Sequence, residues 1–224
     1  MLFLVPTPIG NLGDVTERAR EVLAAADLVL CEDTRTTGRL LQHYGLTARL
    51  AAFHAHNEHA RLDDYLERLR DGETLALVTD AGTPAISDPG FLLVRACREA
   101  GLEVSCLPGP TAFVPALAAS GLPCDRFHFE GFLPQKKGRR TRLEYLAGLP
   151  HTFCLYESPH RLVKCLGQLA EVCGAERPAS VAREISKLHE EVRGGTLAEL
   201  EAYYGGQARV RGEIVVVVGG AGSS

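Results

Sequence analysis

The first 112 residues contain no lysine at all. Their cations are ten arginines against sixteen acidic side chains, whereas residues 113–224 carry fourteen basic and twelve acidic ones, and the whole chain stands at −4. An acidic chain lacks the broad basic surface that non-specific nucleic-acid binding needs, which leaves room for a local basic patch only. No apolar run approaches the roughly 18 residues of a membrane span. The opening MLFLVPTP has no basic segment ahead of it and breaks at Pro6 and Pro8, so neither a signal peptide nor a transmembrane helix is expected, and a cytoplasmic protein is. The seven cysteines (31, 97, 106, 124, 154, 165 and 173) include no CxxC pair, and most lie in apolar runs. They are expected to be reduced core residues, because disulfide frameworks belong to smaller secreted chains. Phosphate signatures are missing too. There is neither a GxGxxG after a strand nor a GxxxxGK[ST], and the glycine-rich residues 219–222 have no helix after them. That argues against nicotinamide-dinucleotide enzymes and P-loop NTPases and favours a ligand with few phosphates.

What is present is an ordinary globular composition, 46% hydrophobic and 23% charged over 224 residues, enough for one large domain or two of about 110 residues. Short apolar runs at 2–5, 28–31, 50–53, 75–78 and 104–107 read as strands, and the stretches 14–26, 34–44, 57–70 and 91–100 between them read as helices. Asp14 is the expected N-cap of the first helix, and Gly45, Gly72 and Gly101 serve as stops. After Pro108-Gly109-Pro110 and a small-residue helix at 111–120 the alternation resumes. Strands are predicted near 127–129, 153–156, 180–182 and 214–218, and helices at 140–146, 159–172 and 197–204. The expectation is an α/β fold of two α/β/α domains with mainly parallel sheets, residues 1–112 and 113–218, followed by a flexible tail at 219–224.

Ligands of parallel α/β sheets bind beyond the carboxyl ends of the strands, and four loops there are unusual. They are Pro6-Thr7-Pro8-Ile9-Gly10-Asn11, the long Thr79–Gly90 segment TDAGTPAISDPG, Pro108-Gly109-Pro110-Thr111-Ala112, and Glu157-Ser158-Pro159-His160-Arg161. Small residues let a ligand approach bare backbone, and prolines stiffen the loop. The plainer alternative, tight turns between packed elements, is less able to explain four such loops in one topology.

These loops, with Glu32-Asp33-Thr34-Arg35, His56-Asn57-Glu58, Tyr156–Arg161, Arg183-Glu184 and Lys187-Leu188-His189-Glu190-Glu191, closely resemble the ribosomal RNA small subunit methyltransferase I family, within the tetrapyrrole-methylase-like superfamily. The match runs from residue 2 to about 218. Pro6 stands where alanine is commoner and Ser186 where threonine is, and many relatives continue into a small helical extension beyond the last strand. The resemblance implies methyl transfer from S-adenosyl-L-methionine to the ribose 2′-hydroxyl of a decoding-centre cytidine in 16S rRNA, free or in the small ribosomal subunit. It also implies a homodimer whose two α/β domains hold the cofactor between them. Superfamily cofactor contacts carry over to Ile9, to Ala81, Gly82, Thr83 and Ile86, to Thr111 and Ala112, and to Glu157, Arg183 and Glu213. Asp80 is a candidate partner for the sulfonium by charge alone.

A ribose hydroxyl is a poor nucleophile, so a base or in-line positioning is needed. Among the charged motif residues Glu32, Asp33, Arg35, Glu184 and Lys187, a carboxylate can take the proton, and so can a lysine of lowered pKa. Asp33, Arg35, Glu184 and Lys187 are the catalytic candidates, and Arg35 suits a phosphate. The alternatives are a helix N-cap with a surface ion pair for Asp33 and Arg35, and a structural salt bridge for Glu184 and Lys187. Lys136, Lys137, Arg139, Arg140 and Arg142 form the densest basic run and are the expected RNA-phosphate contacts, unless they are a solvated helix start. His54, His56 and His59 suggest a metal site, but no matching Cys or Asp set accompanies them and no metal is expected. Rival readings are a tetrapyrrole-type small-molecule methyltransferase, a non-catalytic RNA-binding module and a metal-dependent hydrolase.

Overall fold

Strands of three to six residues, the central ones apolar and buried throughout, build two separate sheets. The computed structural model describes residues 1–54 and 57–222, and its contacts divide it into a unit of Met1–Thr111 and a second that begins at Ala112. The first unit runs β1 (Leu2–Leu4), α1 (Glu17–Ala25), β2 (Leu28–Cys31), α2 (Thr34–His43), β3 (Leu50–Ala52), α3 (Glu58–Arg70), β4 (Leu75–Leu77), α4 (Phe91–Glu99) and β5 (Val104–Cys106). Its sheet has the order β3-β2-β4-β1-β5, with every pairing parallel. Side chains two apart share a face. Leu2, Leu4, Leu28, Leu30, Leu75 and Leu77 pack on one face with Phe53, Tyr65 and Leu93, and Val5, Val29, Cys31, Ala76 and Val78 pack on the other with Leu23 and Leu41. The chain steps out from β1 to β3 and then returns to insert β4 between β2 and β1. That reversal puts the loops after β1, β4 and β5 side by side at one edge of the sheet, where ligands of such sheets bind.

The second unit runs α5 (Phe113–Ala119), β6 (Phe127–Phe132), α6 (Arg139–Ala147), β7 (Thr152–Glu157), α7 (Leu162–Cys173), β8 (Pro178–Arg183), β9 (Glu191–Thr196), α8 (Leu197–Gly205) and β10 (Ile214–Val218). The sheet order is β6-β7-β10-β8-β9. Here the expectation of a mainly parallel sheet needs correction. Only β6 and β7 are parallel, whereas β10 is antiparallel to both β7 and β8, and β9 is antiparallel to β8. For β9 the physical reason is the short connection from β8, because a parallel neighbour would need a crossover of a dozen residues or more. Strand β9, EVRGGT, escapes sequence reading because it is polar, glycine-containing and largely exposed at a sheet edge. Leu155, Val181, Ile214, Val216 and Val218 meet α6, α7 and α8 on one face, and Cys154, Ala182, Val215 and Val217 meet Ala116 and Leu117 of α5 on the other.

Three smaller expectations change. Asp14 closes a 3-10 turn, Leu12–Asp14, whose cap is Asn11, and the cap of α1 is Thr16, which accepts from the Ala19 amide at 3.1 Å. Residues 219–221 are tied down rather than loose. The Gly219 amide donates to Pro178 O at 2.9 Å, the Ala221 amide donates to Leu149 O at 2.7 Å, and Gly220 sits against Pro150 with no room for a Cβ. None of the seven cysteines is bonded to another; Cys31, Cys97, Cys154 and Cys165 are buried as expected, but Cys106 and Cys124 are exposed.

One contact orders the loops at the sheet edge. A Cβ on Gly109 would lie 2.6 Å from Pro6 Cβ, so the loop after β5 can approach the loop after β1 only as glycine. Gly109→Ala is therefore expected to cost about 1–3 kcal/mol, the usual toll of overpacking. Pro6→Gly in the same chain removes the Cβ that is struck, so Gly109→Ala should cost much less there than in the wild type; thermal unfolding of the two single variants and the double variant checks this, and additive effects would contradict it.

Candidate functional site

Beyond the end of the β1–β4 ladder, Thr7 and Gly82 form an isolated antiparallel bridge, each amide donating to the other's carbonyl at 2.9 Å. Thr7 is buried, and its hydroxyl donates to Thr79 O at 3.0 Å. Thr83 reaches the third loop, donating from Oγ1 to Pro110 O at 3.0 Å. Three sequence-expected cofactor positions, Ile9, Gly82 and Thr83, thus meet here. A Cβ on Gly82 would find Ile9 Cγ2 at 3.7 Å and Pro110 O at 4.0 Å. Glycine is needed at 82 for its φ of +85°, not for lack of space. Ala81 and Ile86 project to solvent from the same loop. Ala85 and Ser87 have φ of 67° and 63°, conformations that non-glycine residues hold only where the surroundings impose them. Thr111 is the last residue of the first unit; Ala112 opens the second, and its carbonyl accepts from the Ala116 amide at 3.3 Å.

The restraint on this loop comes from a residue the sequence assigned elsewhere. Glu58 is buried, and its Oε1 accepts from the amides of Gly90 and Leu92 at 3.2 and 3.1 Å, satisfying the first turn of α4. A carboxylate at a helix N-terminus is favourably placed. Asn57 holds the other side, its Oδ1 accepting from the His54 amide at 2.8 Å and its Nδ2 donating to Ala52 O at 2.9 Å. Asn57 and Glu58 of the His56-Asn57-Glu58 motif are therefore loop anchors. His56 lies outside the described residues, and with it part of the histidine cluster. Among the described residues, no group of three His, Cys, Asp or Glu side chains is arranged to hold a metal.

Glu32, Asp33, Asp80 and Asp88 gather beside these loops. The Asp80 amide reaches Glu32 Oε2 at 3.5 Å. Burial pushes the Asp80 carboxyl up, and the Asp33 charge adds to the rise. Burial, then the charges of Glu32 and Asp80, push Asp88 up to about 6. Asp33 goes the other way. Its carboxylate receives the Arg35 side chain at 2.8 and 3.1 Å and the Arg35 amide at 2.8 Å, which lowers its pKa to about 2. This is the N-cap with a surface ion pair, and a carboxylate of that strength is a poor proton acceptor at neutral pH. Asp88, which lies in the Thr79–Gly90 loop but is not among the catalytic candidates named from sequence, is the better-matched base by pKa.

In the second unit, Glu184 and Lys187 come together as expected. Lys187 Nζ donates to Glu184 Oε1 at 2.8 Å and to Glu213 Oε2 at 3.1 Å, and the Glu213 amide donates to the same Glu184 oxygen at 3.0 Å. Burial opposes the Lys187 charge, but its bonds to Glu184 and Glu213 outweigh that and raise the pKa. The alternative of a lysine of lowered pKa accepting the proton is thereby corrected: Lys187 is a held ammonium. Glu184 and Ser186 sit at φ of 53° and 68°, and Gly212 leaves the space that the Glu184 side chain occupies. Arg183 Nη2 pairs with Glu191 at 3.6 Å, beside Tyr204, whose hydroxyl donates to Glu191 Oε1 at 2.6 Å.

Two expectations in this unit change. Glu157 does not present its carboxylate to a ligand, because it is buried and accepts from Arg139 Nη2 at 3.2 Å, Arg161 Nε at 2.8 Å and the Ser158 amide at 2.8 Å. Arg139 is buried in the same cluster, donating also to Gln168 Oε1 at 2.8 Å and Pro134 O at 3.2 Å. It cannot serve as a phosphate contact without breaking a buried ion pair. Arg142 is forked onto Glu130 and lies over Tyr145, and Arg140 pairs with Glu144 at 2.9 Å and Glu171 at 3.5 Å in solvent. Lys136 and Lys137 are exposed, and among the described residues neither has an ion-pair partner.

A parallel α/β unit with cross-tied loops at its strand ends, followed by a mixed-sheet α/β unit, defines a methyltransferase class that sequence and fold comparisons agree on. The sequence model of the family Tetrapyrrole (Corrin/Porphyrin) Methylases matches residues 1–201. The fold is shared with uroporphyrin-III C-methyltransferase from Thermus thermophilus, solved as a complex with S-adenosyl homocysteine, at a TM-score of 0.66 and 20% identity, covering 97% of this chain and 96% of that one. More specific likeness comes from sequence. The Ribosomal RNA small subunit methyltransferase I of Escherichia coli O157:H7 is 52% identical over 221 residues, 98% of this chain and 77% of that protein. The protein of the same name from Synechocystis sp. (strain ATCC 27184 / PCC 6803 / Kazusa) is 50% identical over 222 residues, 99% of this chain and 79% of that protein. The chain belongs to the tetrapyrrole methylases and, within them, to the ribosomal RNA small subunit methyltransferase I family.

The acidic group has a pH signature. A carboxyl of raised folded-state pKa binds its proton more tightly folded than unfolded, so its contribution to stability is present below the unfolded value near 4 and is lost as pH rises through about 6. Asp88→Asn is expected to raise the melting temperature by a few degrees at neutral pH. The gain should vanish by about pH 4, where both proteins are uncharged at this position; a gain independent of pH would contradict the assignment.

Proposed function

We propose that this methyltransferase moves the methyl group of S-adenosyl-L-methionine to the ribose 2′-hydroxyl of a decoding-centre cytidine in 16S rRNA, with the small ribosomal subunit as partner and as a cytoplasmic homodimer. The observation that carries the reading is near-full-length identity of about half with rRNA methyltransferases. The cross-tied loops of the first unit supply the local chemistry. Main-chain groups of Ala81 and Thr83, on either side of a Gly82 whose own amide and carbonyl are taken by Thr7, with the apolar Ile9 and Ile86, suit a ligand held largely by backbone. The Asp80 carboxylate suits a positive sulfonium. The bound cofactor supplies an electrophilic methyl carbon and leaves as a neutral thioether. In this transfer the ribose oxygen gains a C–O bond, the S–CH3 bond breaks, and the hydroxyl proton goes to a carboxylate.

The protein's own groups divide that work. Among the carboxylates beside the loops, Asp88 and Asp80 are the ones raised toward a useful basicity. Lys187 stays charged, suited to the developing negative charge on oxygen or to a phosphate. Lys136 and Lys137, the unpaired part of the basic run, hold RNA phosphates without reading sequence. Among the described residues no helix is long and apolar enough to cross a membrane.

Incubation with labelled S-adenosyl-L-methionine and small subunits from cells lacking the modification is expected to label one ribose of 16S rRNA. Lys187→Met should cut turnover by about 100-fold, as loss of a transition-state charge does, with cofactor affinity unchanged by calorimetry. Lys136→Glu with Lys137→Glu should instead weaken RNA binding and reduce the salt slope by roughly two counterions. Label appearing on a small molecule but not on RNA would sink the reading.

A further inference from the structure

Alongside the loops assigned to the cofactor, the first unit carries an open cleft of about 290 Å³ between the exposed face of α2 and the loops after β1 and β4, with Pro8, Gly10, Thr79 and Asp80 on the loop side. Leu12 and Leu40 give it apolar walls, Thr36, Arg39 and His43 line it from successive turns of α2, and Asp80 closes one end. Arg39 is exposed and, among the described residues, has no ion-pair partner, unlike Arg35, which is forked onto Asp33. The two walls are fixed to each other. The Tyr44 hydroxyl, at the end of α2, donates to Leu12 O at 2.6 Å, and the Tyr44 ring meets His43 edge-on at 5.0 Å. The cleft is thus preformed rather than dependent on a ligand to assemble it.

We infer that this cleft is the acceptor subsite: it takes one unstacked nucleotide of the RNA, base against Leu12 and Leu40, phosphate on Arg39 and His43, ribose toward Asp80. The inference rests on the rRNA reading above and names the part of the chain that would meet the modified nucleotide. Three observations carry it. The size lies at the lower edge of the roughly 300–1,000 Å³ usual for small-ligand sites, which suits a single nucleotide and is small for a tetrapyrrole macrocycle. The lining combines an apolar wall with the Arg39 cation, the His43 ring and threonine hydroxyls, the combination by which proteins hold splayed-out RNA bases and their phosphates. Finally, Asp80 belongs both to the cleft and to the group of carboxylates beside the cofactor loops, so a ribose at that end has a proton acceptor within the same group.

The test uses the intact protein, undermodified small subunits and labelled S-adenosyl-L-methionine. Arg39→Ala is expected to raise KM for subunits about tenfold, the loss of one charge-assisted phosphate contact. It should also lower the salt slope by about one counterion, with kcat and cofactor affinity close to wild type. Thr36→Trp, an exposed position whose enlargement fills the cleft, should abolish transfer to subunits while calorimetry shows the cofactor still bound and the melting temperature is unchanged. If the wild type labels subunits and both variants match it in KM and kcat, the cleft is not the acceptor subsite. If the wild type labels no subunit RNA, the rRNA reading fails, and that is seen without either variant.

Discussion

Two backbone hydrogen bonds between Thr7 and Gly82 hold the functional edge of the first unit together. The parallel ladder of β1 and β4 ends at Leu4 and Leu77, with one further bond from the Val5 amide to Leu77 O. Without a new tie the two following segments, both rich in proline and glycine, would be free to part. The reciprocal pair closes them, the buried Thr7 hydroxyl bonds back to Thr79 O, and Thr83 links the assembly to Pro110. Each bond is worth only about 1 kcal/mol net. Together they keep a stretch of backbone rigid and open to a ligand, which a mobile loop of the same composition would not do. Glu58 at the start of α4 fixes the far end of the same loop, so the segment is held at both ends and strained between them at Ala85 and Ser87.

The second unit is organised by charge rather than by backbone. Glu157, buried at the end of β7, gathers Arg139 from α6 and Arg161 from the turn before α7. Removing one partner of such a cluster would leave buried charge uncompensated, at a cost of about 3–5 kcal/mol. This explains why the basic run divides. The cation nearest the helix start points inward to the cluster, Arg142 is neutralised by Glu130, and Lys136 and Lys137 face solvent with no ion-pair partner among the described residues. The same principle operates around Lys187, where Glu184, in a left-handed conformation and with its side chain in the space that Gly212 leaves, turns its carboxylate to hold the ammonium charged.

Much of the first unit was legible in the chain because its strands are short leucine- and valine-rich runs, most of them buried on both faces, and three of its helices are closed by the glycine stops Gly45, Gly72 and Gly101. The loops at the strand ends were legible for a different reason. Glycine and proline at fixed places restrict backbone, and restricted backbone at a parallel sheet's carboxyl edge points to a ligand. What could not be read were the partners of charged side chains. Nothing local distinguishes Arg139, which turns inward, from Arg140, which stays in solvent, and nothing in the turn Ser87-Asp88-Pro89 announces that Asp88 faces Glu32 and Asp80 across the fold. Strand β9 was missed because an edge strand with two glycines has neither the alternation nor the burial that marks a strand in sequence.

The central claim is that the locked backbone around Gly82 holds the methyl donor. Calorimetric titration of S-adenosyl-L-methionine into the wild type and into Gly82→Ala tests it most directly. A Cβ at 82 has room but no favourable conformation at φ of +85°, so the loop must relax away from its bridge to Thr7. The account predicts saturable binding to the wild type and an affinity weaker by about tenfold or more in the variant, in line with about 1–2 kcal/mol of left-handed strain. Equal affinity in both proteins, or no binding to the wild type, would contradict it.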